Sequence, residues 1–184
     1  PATGPLAVRA PRLPRPAQER IFFYLAADFE PTWRVIQAIA ASGGSAFGFV
    51  RSATKERLAP FSRKGLVFYD EPLPIVDALA SASAIVHHGG IGTSEAAMAA
   101  GRPHLLVPRH LEQSLNARSL MSLGVALVLA TPFSKEAAAA ALMGLRQKIR
   151  LYDAAERLSE QLAARGRGRS LELVMAACRR AQGA

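Results

Sequence analysis

The sequence has a single cysteine, no long apolar run and few aromatic residues. Cys178 excludes a disulfide within the chain, and one free thiol fits a reducing, cytoplasmic location. No stretch approaches the ~18 consecutive apolar residues of a membrane span, and the proline-rich start contains no apolar segment of the secretory type. Because 50% of the 184 residues are hydrophobic, the chain can bury a core, and its length predicts one globular domain. The sequence begins at Pro1 and not at Met, so we expect a segment of a longer protein.

The central part of the chain also has little net charge. The formal charge is +9, but the first 20 residues carry four Arg and one Glu, and the last 20 carry five Arg and one Glu. Neither basic end contains a Phe, Tyr or Trp that could stack on bases. Solvated ends are therefore the simpler interpretation, and we expect no nucleic-acid partner.

The chain divides at about residue 20. Residues 1–19 are rich in proline and lack periodicity, which predicts an extended linker or leader arm. From Ile21 onward, β-prone apolar runs alternate with Ala-rich helical stretches, which is typical of a parallel sheet built from βαβ units. The predicted strands are 21–25, 46–50, 66–69, 84–87, 104–107 and 125–129.

The fold class that follows is α/β, with a doubly wound, Rossmann-like parallel sheet of about six strands. The predicted helices lie near 31–42, 74–81, 93–100, 112–123, 134–149 and 151–164, and Pro31 is placed to open the first. Residues 20–184 would form the domain, with a basic hinge over 165–169 and a terminal helix over 170–182. The apolar stripe of that last helix either packs on the domain's own core or on a neighbouring domain.

The densest chemistry lies where the fourth predicted strand runs into the next helix. The turn His87-His88-Gly89-Gly90-Ile91-Gly92 is followed by Thr93, Ser94 and Glu95. Glycines there let the backbone approach a ligand, and the free N–H groups of a helix N-terminus favour phosphate, so the segment predicts a diphosphate cradle. We place Glu95 in the first helical turn, where its carboxylate either accepts hydrogen bonds from a ribose or compensates the helix dipole.

The segment fits other kinds of binding site less well. The turn is not a Walker A loop and fits the Rossmann glycine pattern poorly, since Glu95 stands where the third glycine would be. All four histidines fall between His87 and His110, yet His87 and His88 point to opposite faces of a strand, so we expect no metal site. We assign His104 a satisfied structural role on its strand.

At these residues the sequence resembles a known family. The run HHGGIGTSEAAMAAGRPHLLVPRHLEQSLNA, residues 87–117, is similar to the donor-binding signature of GT-B glycosyltransferases, in particular the UDP-glycosyltransferases and the bacterial macrolide-glycosyltransferase-like group. The matching features are His87, the turn Gly89–Thr93, Glu95, Gly101-Arg102-Pro103, Pro108, Glu112-Gln113 and Asn116-Ala117. The strand and helix order from about 21 to 164 agrees with the C-terminal, nucleotide-sugar-binding half of that fold.

The resemblance implies roles for particular residues. His87 and the turn formed by Gly89, Gly90, Ile91, Gly92 and Thr93 would hold the diphosphate of a UDP-sugar or dTDP-sugar donor, with His87 also stabilising the leaving group. Glu95 would hold the ribose, and Glu112 and Gln113 would contact the transferred sugar. No metal or other cofactor is implied.

Two positions depart from the family's pattern. Glu112 stands where an Asp is usual, which lengthens the reach to the sugar. The usual base-stacking motif is replaced by Tyr69-Asp70-Glu71-Pro72. Tyr69 either stacks on the base or ends a strand, and we favour the strand end.

The resemblance also implies a missing half. The general base of an inverting GT-B enzyme belongs to an N-terminal acceptor-binding domain, which this sequence does not contain. We therefore expect the chain to bind a nucleoside diphosphate sugar without transferring it. Another GT-B enzyme, such as a nucleotide-sugar epimerase or a cell-wall lipid glycosyltransferase, and a non-catalytic nucleotide-sugar-binding module remain alternatives.

Overall fold

Six parallel strands form a single sheet in the computed structural model, which describes residues 12–164. The order across the sheet is β3-β2-β1-β4-β5-β6, so the chain first winds toward one edge and then returns past β1 to build the other. This confirms the predicted doubly wound α/β class. The strands are β1 (Arg20–Ala26), β2 (Ser45–Arg51), β3 (Leu66–Phe68), β4 (Ala84–His87), β5 (His104–Leu106) and β6 (Ala126–Val128).

The helices agree with the predicted order, with two differences. They are α1 (Pro31–Ala41), α2 (Lys55–Leu58), α3 (Ile75–Ala80), α4 (Ile91–Ala99), α5 (Leu111–Ser122), α6 (Lys135–Gln147) and α7 (Ile149–Ala164). The short α2 and the 3₁₀ turn after it, Ala59–Phe61, were not predicted, because four residues are too few to show helical periodicity. Helix α4 begins at Ile91 and not near residue 93. The predicted hinge and terminal helix, 165–182, lie outside the described residues.

The helices cover both faces of the sheet because side chains alternate along each strand. On β1, Ile21, Phe23 and Leu25 face the core that α1 and α6 complete, whereas Phe22 faces α3 and α4. On β5, Leu106 contributes to a third cluster beneath α5 and α7. None of the helices within residues 12–164 is long and apolar enough to cross a membrane.

The strand order also determines where a ligand can enter. Strands β1 and β4 are neighbours in space, but their following connections leave toward opposite edges of the sheet. In doubly wound sheets a crevice opens at such a point, beyond the carboxyl ends of the strands. Ala26 at the end of β1 and His87 at the end of β4 therefore mark the expected position of a site.

The described part of the proline-rich arm, residues 12–19, contains no helix or strand and lies against the domain. Leu13 packs on the cluster beneath α3 and α4. The side chain of Arg102, only 1% exposed, donates from Nη1 to the carbonyl of Leu13 (3.3 Å), from Nη2 to that of Pro14 (2.7 Å) and from Nε to that of Leu79 (3.1 Å). The buried guanidinium thus fixes the arm to the connection between α4 and β5.

An Arg102→Met variant is expected to lower the free energy of unfolding by about 2 kcal/mol, because it leaves the carbonyl of Leu79 without its charged donor. Urea denaturation monitored by circular dichroism measures this change. Arg118→Met is the matched control, because it removes the same charge from an exposed position. Equal stability of the two variants would contradict an anchoring role for Arg102.

Candidate functional site

A cleft opens at the carboxyl edge of the sheet, at the crossover point between β1 and β4. Its volume is about 130 Å³. A whole small-molecule ligand usually occupies ~300–1,000 Å³, so the cleft can enclose only part of a nucleotide sugar. The residues that line it are Tyr24, Leu25, Ala26, Arg51, His87, His88, Gly90, Thr93, Arg109 and Gln113.

The N-terminus of α4 forms one wall of the cleft and lacks a side-chain cap. Gly90 occupies the N-cap position with an extended backbone (φ −61°, ψ 141°), and no side chain accepts a hydrogen bond from the first turn. The first intrahelical bond runs from the Ser94 N–H to the Gly90 carbonyl, so the three preceding helical N–H groups have no partner within the helix. A Cβ built on Gly90 or on Gly92 would have no atom within 4 Å. The helix end is therefore open to an anion.

The turn before this helix is held by α5. Gly89 has a φ of +91°, a conformation that side-chain-bearing residues rarely adopt, and a Cβ there would lie 3.2 Å from the Gln113 carbonyl. Asn116 donates from Nδ2 to the Gly89 carbonyl (2.7 Å) and to Ser94 Oγ (2.9 Å). The Asn of the sequence motif thus fixes the turn and the start of α4 together.

His87 is buried, with 1% of its surface exposed, and both of its ring nitrogens have partners. Nδ1 accepts from the Gly89 N–H (3.2 Å), and Nε2 lies 3.0 Å from Nδ1 of His104. Burial lowers the pKa of His87 well below its usual value, and the neighbouring imidazoles of His104 and His88 lower it further. Direct contact between this ring and a phosphate would require one of its hydrogen bonds to break.

His104 differs in part from its predicted role. Its Nδ1 faces His87, but its Nε2 is buried without a hydrogen-bond partner among the described residues. Burial lowers the pKa of His104 to about 3. The ring is therefore neutral and only half satisfied.

His88 joins the ends of β1 and β5. Its Nε2 accepts from the Ala26 N–H (2.9 Å), which leaves Nδ1 to donate to the Val107 carbonyl (2.8 Å). As expected from strand alternation, His87 and His88 have different partners. Burial lowers the pKa of His88, so this imidazole is also held in its neutral form.

Two arginines that line the cleft were not predicted from the sequence. Arg109, just beyond β5, forms a salt bridge with Asp28 beyond β1 (2.9 Å) and thereby lowers the pKa of that carboxyl group. Arg51 ends β2, and Ser52 after it has a φ of +61°. Both arginines are at or just beyond carboxyl ends of strands, the one signal that could have identified them.

Of the predicted site residues, the cleft brings together His87, Gly90, Thr93 and Gln113. Gln113 Oε1 accepts from the backbone N–H of Arg109 (2.9 Å), so the side-chain oxygen of Gln113 already has a partner within the protein. Glu112 is exposed and does not line the cleft. Gly89, Ile91 and Gly92 belong to the same turn and helix start, but they are not among the residues that line the cleft.

Glu95 and Tyr69 lie apart from the cleft. Because α4 begins at Ile91, Glu95 is its fifth residue, so the prediction that it lies in the first turn is wrong. A carboxylate beyond the first turn has little effect on the helix dipole, so Glu95 does not compensate it. One carboxylate oxygen of Glu95 is buried without a hydrogen-bond partner within residues 12–164. Tyr69 follows β3 at the edge of the sheet, where its ring meets Phe47 edge-on (centroids 6.4 Å apart) beside a separate pocket.

No group of three or more metal-ligating side chains comes together in the described part of the chain. The polar groups of the cleft are backbone N–H groups, the guanidinium groups of Arg51 and Arg109, the neutral imidazoles of His87 and His88, the Thr93 hydroxyl and the Gln113 amide. That set suits an anionic ligand.

Comparison with known proteins agrees with the fold. Residues 67–174 match the family model described as "Erythromycin biosynthesis protein CIII-like, C-terminal domain". Over 59 residues the chain is 44% identical to the elloramycin glycosyltransferase ElmGT of Streptomyces olivaceus, a match that covers 32% of this chain and 15% of that protein.

Solved glycosyltransferase structures share the architecture. The structure of VinC in complex with dTDP superposes with a TM-score of 0.72 at 24% identity, covering 95% of this chain and 45% of VinC. The spinosyn rhamnosyltransferase SpnG complexed with thymidine diphosphate gives a TM-score of 0.68 at 21% identity, covering 82% of this chain and 43% of SpnG. The chain thus spans less than half the length of these enzymes. Because the family model matches more than half of its residues, the chain belongs to the erythromycin biosynthesis protein CIII-like C-terminal domain family, which confirms the resemblance to GT-B glycosyltransferases.

Proposed function

We propose that this chain is the donor-binding half of an inverting glycosyltransferase and that it binds the diphosphate of a nucleoside diphosphate sugar at the N-terminus of α4. The observation that carries the proposal is the uncapped first turn, where Gly90 and Gly92 leave space around N–H groups that line a cleft at the crossover of β1 and β4. Membership of a family whose relatives are named glycosyltransferases supports it.

Charge in the cleft favours the same ligand. Arg51 and Arg109 flank the helix N-terminus, and the dipole of α4 adds positive potential. Asp28 neutralises Arg109 in part through their salt bridge, whereas Arg51 has no ion pair within residues 12–164. A diphosphate would gain charge-assisted hydrogen bonds from Arg51 without displacing an existing partner.

The same groups would stabilise the leaving group. In the transfer step an acceptor hydroxyl attacks the anomeric carbon, and the bond from that carbon to the β-phosphate oxygen breaks. The electron pair passes to the diphosphate, whose increased charge is stabilised by the N–H groups of α4 and by Arg51. A general base outside this chain takes the proton of the acceptor hydroxyl. In this mechanism His87 acts indirectly, because its ring accepts the hydrogen bond that holds Gly89. Since the ring is neutral, it places no positive charge beside the phosphate.

Thymine is the first base to test, because VinC and SpnG have structures with thymidine diphosphate. Ribose binding by Glu95 stays a prediction that requires its carboxylate to turn toward the cleft. Contacts from Glu112 and Gln113 to the transferred sugar also stay predictions. The acceptor and the sugar-transfer activity depend on a domain outside this chain.

Isothermal titration of the 184-residue chain with dTDP, UDP and thymidine tests the proposal. We expect dTDP to bind at least about 30-fold more tightly than thymidine, because only dTDP carries the diphosphate. An Arg51→Gln variant should weaken dTDP binding by about tenfold, the loss of one charge-assisted hydrogen bond. Arg118→Gln, an equal charge change on the exposed side of α5, should leave the affinity unchanged.

Two results would reject the proposal. Equal affinities for dTDP and thymidine, with UDP no tighter, would exclude a diphosphate site. Sugar transfer to a small acceptor by this chain alone would show that it is more than a donor-binding half.

A further inference from the structure

We propose that His104 is a positioning residue for the phosphate cradle: it fixes the tautomer of His87 and thereby holds the N–H of Gly89 in the glycine turn. This inference rests on the proposed function, because the turn it positions is the one to which the diphosphate is assigned. The three residues form one series of buried hydrogen bonds that leads from the first residue of β5 to the edge of the cleft.

The protons in this series can be assigned from one end. The backbone N–H of Gly89 can only donate, so Nδ1 of His87 accepts and carries no hydrogen. A neutral imidazole has one N–H, which in His87 must then be at Nε2 and must donate to Nδ1 of His104. Nδ1 of His104 is therefore an acceptor, and its own hydrogen is at Nε2.

Within residues 12–164 that hydrogen has no acceptor, because Nε2 of His104 is buried without a partner. An unsatisfied buried donor destabilises the folded state. An aliphatic side chain would avoid this cost, and position 104 lies in a fully buried strand where Leu105 and Leu106 are its neighbours. An imidazole at this position therefore costs stability while supplying one thing that Leu does not, an acceptor for His87.

The supported turn is also under constraint from its other side. Gly89 is in the left-handed region, and its carbonyl accepts from Asn116. With the N–H held by His87 and the carbonyl held by Asn116, the orientation of this residue is fixed from β4 and from α5. Without the acceptor at His104, the ring of His87 could adopt the other tautomer, which would direct an N–H against that of Gly89.

The test compares His104→Asn with His104→Leu in the full 184-residue chain. Oδ1 of Asn is at the same position along the side chain as Nδ1 of His, so this conservative variant keeps the acceptor, whereas Leu removes it. Three quantities are measured for each variant: the tautomer of His87 from ring ¹⁵N chemical shifts, hydrogen exchange at the Gly89 amide, and the dTDP affinity. Leu142→Ala, in the core beneath α6, is the control for lost stability alone.

We expect the Asn variant to keep the Nε2–H tautomer of His87 and to bind dTDP within about threefold of the wild type. The Leu variant should lose that tautomer preference and exchange the Gly89 amide about tenfold faster. It should also bind dTDP about tenfold more weakly, which corresponds to the loss of one hydrogen bond. Leu142→Ala should lower the melting temperature without changing any of the three quantities.

Two results would overturn the inference: an unchanged His87 tautomer and Gly89 exchange rate in the Leu variant, or a wild-type His87 with its proton on Nδ1. The tautomer and the exchange rate need no ligand. If the wild-type chain did not bind dTDP, the proposed function would therefore fail while the link from His104 to Gly89 would still be decided.

Discussion

A Gly90→Asp variant is expected to remain at least as stable as the wild type and to bind dTDP at least about 30-fold more weakly, a loss of about 2 kcal/mol. Gly90 is the N-cap of α4 with an extended backbone, the conformation in which Asp is among the most favourable capping residues. A Cβ built there meets no atom within 4 Å, so the position has room for the start of a side chain.

Binding is lost because the new carboxylate occupies the place assigned to the diphosphate. It would accept hydrogen bonds from the N–H groups of the first turn and repel a dianionic ligand within a few ångströms. Calorimetric titration with dTDP and thermal denaturation of the same sample measure both effects.

Gly90→Asn is the matched control, because Asn caps a helix about as well as Asp but carries no charge. It should weaken dTDP binding less than Asp does. Unchanged dTDP affinity in the Asp variant would remove α4 from the binding site, whatever its effect on stability.

The free energy of unfolding is expected to fall by roughly 3 kcal/mol between pH 7.5 and pH 5.5 because of two buried histidines. The pKa of His104 is lowered to about 3, and that of His87 is lowered well below its usual value by burial and by His104. In the unfolded chain both rings regain a pKa near 6.5.

The direction follows from the protons bound in each state. Below about pH 6.5 the unfolded chain binds protons that the folded chain excludes, so acid favours unfolding. The stability contributed by the neutral histidines is complete above this pH and is lost progressively as the pH falls. The lowered pKa of His88 acts in the same direction.

Urea denaturation at a series of pH values measures this dependence. A His104→Asn variant should lose only about half as much stability over the same interval, because one titrating group is absent. A wild-type curve that is flat from pH 7.5 to pH 5.5 would contradict the neutral, buried state of the histidine pair.

The sequence by itself determined the fold class and the position of the glycine turn before α4. Alternating apolar runs and Ala-rich stretches identified all six strands, because a buried parallel sheet needs β-prone residues on both faces. The glycine turn from Gly89 to Gly92 was recognisable because its backbone requirements restrict the residue type. The spacing of the motif also indicated Asn116, and its hydrogen bonds to Gly89 and Ser94 explain why the motif has an Asn there.

Only the tertiary structure decided which side chains surround the cleft. Arg51 ends β2 and Arg109 lies just beyond β5, so they are distant in sequence, and the sheet order brings them to one edge. The same order leaves Tyr69 on the outer strand, beside a different pocket. The two-residue shift in the start of α4 moved Glu95 out of the first turn.

The hydrogen bond between His87 and His104 shows why some features could not be predicted from the sequence. His87 and His104 are 17 residues apart, and no local pattern relates them, because their contact depends on the register between β4 and β5. Local periodicity determines which elements form, since it depends on neighbours along the chain. Hydrogen-bond partners and burial depend on residues that become neighbours only when the sheet assembles, so the partners of His87 could be read only from the folded protein.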